Sequence, residues 1–203
     1  MAHSKTEPKE GWWFSGGDTL PHGDNRPIVI GERIGVKGKL VICQNALHGS
    51  FDPFDALQYA PGPYLHKVLF SGARIEESDK LGSRYRTVLA RRDATSMLRQ
   101  FACEQALSVI HLWDAPAIVR DYLETRDESK RIAAWEAAAE AAAWAAAAWD
   151  AAWDAAARAA AWAAAARDAA AWAAAWAAAR DAAGAAARLR FNELVNELFA
   201  QEL

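Results

Sequence analysis

The chain has 203 residues, which is enough for one or two domains with a buried core. Its formal net charge of −3 argues against a general nucleic-acid binder, because such proteins neutralise phosphates with lysine and arginine. Residues 1–11 contain no apolar signal segment, and the longest uncharged alanine–tryptophan runs are shorter than the roughly 20 residues that span a bilayer. We therefore expect a cytoplasmic protein with no membrane partner.

The first half of the chain has the pattern of short strands. Residues 1–10 form a polar leader that we predict to be disordered. After it, Gly and Pro separate β-branched and aromatic runs of strand length at residues 12–14, 27–30, 39–43, 65–70 and 85–89. His66 and Lys67 interrupt one of these runs, which indicates a partly exposed strand. Between the runs, Asp52 can cap a short helix that begins at Pro53.

Helical signals follow the strands. Asp93 can cap a helix that runs to about Trp113, because apolar residues recur there at three- and four-residue spacing. A second helix starts after Pro116 and stops before a charged stretch. We therefore predict an α+β globular domain over residues 11–125, with a joint over residues 126–131.

The last third of the chain is rich in alanine and tryptophan. Residues 132–183 contain no Gly and no Pro, and alanine has the highest helix propensity, so this tract is predicted to be helical. Seven of the ten tryptophans of the chain lie in it: Trp135, Trp144, Trp149, Trp153, Trp162, Trp172 and Trp176.

The spacing of these tryptophans indicates burial on more than one side of the helix. Trp135 and Trp153 are five helical turns apart and share a face, whereas Trp144 lies two and a half turns from Trp135 on the opposite face. Seven rings in water would make an adhesive surface, so we predict that they serve in packing or assembly. One long helix, a folded-back bundle whose aspartates start shorter helices, and an imperfect solenoid repeat all remain open.

Gly184 is predicted to break the helix after the tract. Beyond it, apolar residues from Leu189 to Phe199 have the spacing of an amphipathic terminal helix. The predicted fold class is thus α+β, with a small β-rich N-terminal domain followed by an all-α Ala/Trp-rich helical region over residues 132–203.

The chain contains no strong catalytic or metal-binding motif. It has no phosphate loop, GxSxG, HExxH or CxxC sequence, and its five histidines are scattered. Cys43 and Cys103 have neither metal-ligand spacing nor a disulfide framework, which favours two buried thiols in a reducing compartment. We therefore assign no catalytic residue, no metal site and no cofactor from motifs alone.

Residues 47–72 have the order of a strand end, a short helix and a second strand. Leu47-His48-Gly49-Ser50, Asp55-Ala56-Leu57-Gln58-Tyr59-Ala60 and the strand Leu65–Phe70 make up this module. It resembles the central module of the ADP-ribosyltransferase fold, whose members bind NAD. The resemblance implies that Trp12–Ser15 cradles NAD, that Ser50 lies by the nicotinamide pocket, and that Tyr59 stacks on its ring. Candidate ligand-binding residues are Trp13, Ser15, His48, Ser50 and Tyr59.

This resemblance does not supply a complete active site. The first strand lacks the Arg, or the His followed by Thr or Ser, that active members use to hold NAD. Glu76 and Glu77 are only candidates for the catalytic glutamate. The resemblance therefore implies either an ADP-ribosyltransferase-like enzyme or a degenerate NAD-binding protein.

A second resemblance covers residues 30–117. It is carried by Gly31-Glu32-Arg33, Cys43, the segments Leu47–Ser50 and Asp55–Gly62, and His111-Leu112-Trp113-Asp114-Ala115-Pro116. These residues resemble an uncharacterised domain family of phage, prophage and actinobacterial genomes, whose members often end in an alanine–tryptophan tract. The resemblance implies an accessory setting in which counter-defence proteins are frequent.

Three functional hypotheses follow. The first is a non-enzymatic phage- or prophage-type protein that acts by protein–protein interaction, through self-association and contact with a host protein in the host cytoplasm. The second is the ADP-ribosyltransferase-like enzyme or NAD binder. The third is a nucleic-acid-facing protein that would bind through four arginines: Arg84, Arg86, Arg91 and Arg92. Such a cluster is more commonly a solvated basic edge of the protein.

Overall fold

The computed structural model describes residues 7–21, 24–112, 114–141 and 169–200, with the backbone alone for residues 109, 112 and 169–183. Within these ranges, five strands form one antiparallel sheet: β1 Lys9–Ser15, β2 Arg33–Gly35, β3 Leu47–Gly49, β4 Tyr64–Glu76 and β5 Leu81–Asp93. The order across the sheet is β1-β4-β5-β2, and β3 also pairs with β5. The long β4–β5 hairpin is therefore the centre of the fold.

Three of the five predicted strands are confirmed, because residues 12–14, 65–70 and 85–89 lie inside β1, β4 and β5. The strands predicted at 27–30 and 39–43 are wrong, since these segments form loops with isolated bridges. Asn45 explains one of them: its side-chain Nδ2 donates to the carbonyls of Lys37 and Lys39 and closes the loop. Short strands follow each loop instead, as β2 and β3.

The predicted short helix is confirmed as α1, Pro53–Leu57, where Asp52 Oδ1 accepts a hydrogen bond from the Phe54 N–H at 2.8 Å. The helix predicted after Asp93 is α2, Thr95–Val109, followed by a 3-10 turn at Ile110–Leu112. The helix predicted after Pro116 is α3, Ala117–Thr125. A 3-10 turn at Glu128–Lys130 precedes residues 131–141, which are helical.

The terminal helix runs from Ala169 to Ala200 without interruption. The predicted break at Gly184 is therefore wrong. Gly184 is exposed and a Cβ built on it would meet nothing within 4 Å, so the surroundings of this glycine do not require a turn. One glycine costs a helix only about 1 kcal/mol, which the helix-favouring residues around it offset.

The two neighbouring tryptophans of β1 face opposite sides of the sheet, as successive residues of a strand must. Trp13 belongs to a core cluster with Val68, Phe70 and Leu81. Trp12 contacts Phe199 of the terminal helix edge to face, with ring centres 5.1 Å apart. Both faces of the sheet are therefore covered by apolar side chains.

The chain forms two compact units, and the first contains both the N-terminal part and the C-terminal end. Residues 1–98 and 188–203 make up this unit. Phe191 and Val195 of the terminal helix are fully buried in it, and Phe191 contacts Phe54 of α1 with ring centres 5.8 Å apart.

The predicted fold class is therefore wrong in placing an all-α region after a separate β-rich domain. The described residues are a mixed α+β chain in which the end of the terminal helix belongs with the five-stranded sheet. The physical reason is that the sheet face carrying Trp12 is apolar and is buried by the apolar stripe of this helix.

The second unit extends from Arg99 to Ala187. In its described part, Cys103, Val119 and Ala134 are buried, and Lys130 forms an ion pair with Asp121 at 2.7 Å. The boundaries proposed from the sequence at residues 125 and 131 stay predictions. None of the described helices has the length and apolar character needed to cross a membrane.

Candidate ligand-binding cavity

A cavity of about 820 Å³ opens in the first unit, between one face of the sheet and the loop that precedes β3. This volume lies within the range of small-molecule sites. Its lining comes from β1, the loop residues 43–46, β3 with Ser50, α1 with the following Tyr59, and β5, and from single residues of the connecting loops: Leu20, Pro21, Asp24, Val36, Pro61 and Lys80. The cavity therefore lies where separate parts of the sequence converge, as is common for binding sites.

Trp13 is the aromatic centre of the cavity wall. Its ring stacks with the imidazole of His66, which stands opposite it on β4, at 4.7 Å between ring centres. The guanidinium carbon of Arg86, from β5, lies 3.6 Å from the centre of the Trp13 ring. Three side chains from three adjacent strands thus form one contiguous group.

Ser15 fixes the protonation of His66. The Ser15 hydroxyl donates to the carbonyl of Gly17 at 2.8 Å, so its one proton is already used. The 2.8 Å hydrogen bond between Ser15 Oγ and His66 Nε2 must then be donated by the imidazole. His66 therefore carries a proton on Nε2.

The strand β4 is partly exposed at Lys67, as expected, but not at His66. The histidine is fully buried, and its Nδ1 has no hydrogen-bond partner among the described residues. Burial lowers the pKa of His66 to about 3, and the cations of Arg91 and Arg86 act in the same direction. The imidazole is thus neutral at physiological pH and serves as a planar packing group.

Arg86 is the most unusual residue of the site, because it is a cation with only 3% of its surface exposed. Its Nη1 donates to the carbonyl of His48 at 2.6 Å, whereas Nε has no hydrogen-bond partner among the described residues. Burial lowers the pKa of Arg86 to about 9, and the Asp24 carboxylate opposes this shift. Arg86 therefore remains charged at neutral pH.

The charge of Arg86 is poorly balanced. Asp24 also lines the cavity, but Arg26 holds both of its carboxylate oxygens, at 2.6 and 2.7 Å. A buried cation without a matched carboxylate is costly unless an anion joins it. The cavity therefore has the electrostatic character of an anion site.

Ser50 is held against β1 by the backbone. Its N–H donates to the Trp12 carbonyl at 2.9 Å, and its carbonyl accepts from the Trp12 N–H at 2.8 Å. Gly49 permits this approach, because a Cβ there would lie 2.4 Å from Phe70 Cζ. The Ser50 side chain is 1% exposed, and its Oγ has no hydrogen-bond partner among the described residues.

The remaining predicted residues, His48 and Tyr59, also line the cavity. His48 Nε2 accepts a hydrogen bond from the backbone N–H of Cys43 at 2.8 Å. The Tyr59 hydroxyl donates to Asp79, which raises the pKa of the tyrosine, and Lys80 lies over its ring at 5.3 Å. Tyr59 is exposed, so its ring is open to a ligand on part of its surface.

The structure thus brings Trp13, His48, Ser50 and Tyr59 to one cavity, while Ser15 lies beneath His66. Sequence reasoning did not assign Arg86 to a ligand site. A signal was available in the strand predicted at residues 85–89. Arg86 lies two positions from the apolar Val88, so both side chains face the same side of the strand. Cys43, predicted to be buried, is exposed at the cavity rim, whereas Cys103 is buried as expected.

The arginines do not form one solvated basic edge. Arg86 is buried, Arg84 donates to the Val36 carbonyl at 2.8 Å, and Arg91 pairs with Asp18. Arg92 lies 5.4 Å from the centre of the Phe199 ring. In the part of the chain that the structure describes, no three histidine, cysteine or acidic side chains come together as metal ligands would.

The structure describes only some of the tryptophans that were predicted to serve in packing. Trp135 is described and is 71% exposed. Trp172 and Trp176 lie on the terminal helix, of which only the backbone is described there. Trp144, Trp149, Trp153 and Trp162 lie outside the described residues. Whether the tract is one helix, a bundle or a solenoid therefore stays a prediction.

The chain matches no protein-family model, no curated protein and no solved structure.

Proposed function

We propose that this chain is a non-enzymatic binding protein whose sheet unit holds a small ligand with an anionic group in the cavity at Arg86. The observation that supports the proposal is the buried guanidinium of Arg86 on a cavity whose described acidic side chain, Asp24, is already paired with Arg26. A carboxylate or phosphate would pair with Arg86, and the Ser50 hydroxyl offers a further donor.

The wider role is proposed from the sequence. The protein acts as a phage- or prophage-type accessory protein in the host cytoplasm, through protein–protein contacts that include self-association and a host protein. Counter-defence is the form of that role that the second resemblance favours. The ligand cavity then serves recognition or regulation, because no set of catalytic groups is assigned.

Calorimetry with inorganic phosphate tests the ligand site. We expect saturable binding by the wild-type chain and at least about tenfold weaker binding by Arg86→Met, the effect of one charge-assisted hydrogen bond. Arg84→Met is the matched control, since Arg84 lies on the same strand and donates to a backbone carbonyl but does not line the cavity. Equal phosphate affinity in all three proteins would refute the anion site.

A second candidate function is the ADP-ribosyltransferase-like enzyme or NAD-binding protein. It is favoured by the presence of Ser50 and Tyr59 on the same cavity, and the pyrophosphate of NAD would suit Arg86. Thermal melting with millimolar NAD and label transfer from NAD test it. An unchanged melting temperature together with no transfer excludes this candidate.

Self-association needs a test that leaves the sheet unit intact. Truncation after Lys130 is unsuitable, because it would remove the buried residues Phe191 and Val195. Light scattering should instead compare the full chain with a variant in which four tract tryptophans are replaced by alanine: Trp144, Trp149, Trp153 and Trp162. We expect the variant to have a smaller solution mass. The same monomeric mass for both proteins would exclude assembly through the tract.

A further inference from the structure

Cys43 stands at the rim of the cavity on a well-defined turn. Its side chain is exposed and lines the cavity. The turn is closed by the Asn45 N–H, which donates to the Val41 carbonyl at 2.8 Å. The thiol is thus presented to solvent and to the cavity at once.

The backbone of Cys43 is in a conformation that side chains rarely adopt. Its φ is +61°, in the left-handed region that favours glycine. The hydrogen bond from its N–H to His48 Nε2 anchors it there. Such conformations persist where the surroundings enforce them, and they cluster at binding and reactive sites.

A cation accompanies the thiol. Lys80 also lines the cavity and brings an ammonium group to it. Its Nζ forms an ion pair with Glu77 at 3.4 Å. The reactive form of cysteine is the thiolate.

The interior of the same cavity offers a place for an anion. Arg86 and Ser50 are 3% and 1% exposed, and Arg86 Nε and Ser50 Oγ have no hydrogen-bond partner among the described residues. Cys43 lines the same cavity, so a small molecule whose acidic group pairs with Arg86 shares that cavity with the Cys43 thiol.

We infer that Cys43 is a modification site that forms a mixed disulfide with a small disulfide carrying a carboxylate, which binds at Arg86. In this step the Cys43 thiolate attacks one sulfur of the small disulfide. A new S–S bond to Cys43 forms, the original S–S bond breaks, and the second half leaves as a thiolate. The inference rests on the proposed anion site and adds a covalent outcome to it.

A pair of probes that differ in charge tests the inference. The full chain is treated with 3,3′-dithiodipropionate, which is anionic, or with 2-hydroxyethyl disulfide, which is neutral. The rate of mass gain on Cys43 is followed by peptide mass spectrometry. Cys103 provides an internal reference, because it is buried.

The quantity compared is the rate of Cys43 modification by the anionic disulfide divided by the rate with the neutral disulfide. We expect this ratio to be about tenfold higher in the wild type than in Arg86→Met, the effect of one charge-assisted hydrogen bond. Arg84→Met should keep the wild-type ratio, and Arg86→Lys should keep most of it because it retains the charge. Melting curves establish that each variant is folded.

Two outcomes separate this inference from the proposed function. If phosphate binds through Arg86 but the rate ratio is the same in the wild type and Arg86→Met, the cavity binds anions and the inference about Cys43 is wrong. If neither phosphate binding nor the ratio depends on Arg86, both are wrong. Reaction of Cys43 no faster than Cys103 would also overturn the inference.

Discussion

The guanidinium carbon of Arg86 lies 3.6 Å from the centre of the Trp13 ring, and the two side chains come from strands that are not neighbours in the sheet. β4 separates them and contributes His66, which stacks on the same ring. A desolvated cation–π contact of this kind contributes about 2 kcal/mol. It partly offsets the cost of burying Arg86, and it leaves the charge available to an anion.

Replacing Trp13 should separate the contribution of its aromatic ring from that of its size. We expect Trp13→Met to lower the free energy of unfolding by about 2 kcal/mol more than Trp13→Phe, because phenylalanine retains a ring face for Arg86. Urea denaturation of both variants measures the difference. Equal losses would show that the ring contributes only its volume.

His66 should make stability depend on pH in a defined window. Its pKa is lowered from 6.5 to about 3 in the folded chain, so between these values the unfolded chain binds more protons. The contribution is complete above pH 6.5 and is lost as the pH falls toward 3, with a slope of up to about 1.4 kcal/mol per pH unit.

The test compares urea denaturation of the wild type and His66→Gln between pH 7 and pH 4. Glutamine does not titrate, so we expect the variant to lose less stability on acidification. His111→Gln, at an exposed histidine, is the control and should follow the wild type. Parallel pH profiles for the wild type and His66→Gln would contradict the assignment.

Gly49 should tolerate no side chain. A Cβ there would lie 2.4 Å from Phe70 Cζ and 2.6 Å from the Trp12 carbonyl oxygen. We expect Gly49→Ala to lower the free energy of unfolding by about 1–3 kcal/mol, as overpacking does. Gly17→Ala is the control, because a Cβ at Gly17 meets nothing within 4 Å. Similar melting temperatures for both variants would argue against the close approach of Ser50 to β1.

Asp52 joins α1 to the end of the terminal helix. It caps α1, and it also contacts Arg188 at 3.1 Å and Asn192 at 3.0 Å. We expect Asp52→Ala to cost about 1 kcal/mol or more, whereas Asp52→Asn should cost less because asparagine also caps helices and the ion pair is partly exposed. Chemical denaturation measures both. If Asp52→Asn lost as much stability as Asp52→Ala, the ion pair with Arg188 would be the dominant contact of Asp52.

Replacing Gly184 by alanine should stabilise the protein. Gly184 lies exposed inside the terminal helix, and a Cβ built there meets nothing within 4 Å, so we expect Gly184→Ala to raise the free energy of unfolding by up to about 1 kcal/mol. Ala185→Gly is the matched reverse change and should lower it. A loss of stability in Gly184→Ala would instead indicate the left-handed helix end that the sequence alone suggested.

The site was only partly predictable from the sequence. The resemblance of residues 47–72 to the ADP-ribosyltransferase module implied that Ser50 and Tyr59 bind a ligand, and both line the cavity. Arg86 was grouped with the neighbouring arginines, and this grouping did not use the signal that Arg86 shares a strand face with the apolar Val88. Cys43 was expected to be buried, but the turn closed by the Asn45 N–H and the Val41 carbonyl leaves it exposed on the cavity.

The sequence alone determined the features that depend on local interactions. The cap at Asp52 with Pro53, the long strands β4 and β5, and the helices α2 and α3 follow from residues within a few positions of each other. Tertiary structure decided the rest, because each remaining feature depends on residues far apart in the chain. The terminal helix covers the sheet through Phe191, the predicted strands at 27–30 and 39–43 become loops, and Arg86 is buried against Trp13. Burial is a property of the whole fold. It places Arg86, which the sequence grouped with a basic edge, at the centre of a candidate anion site.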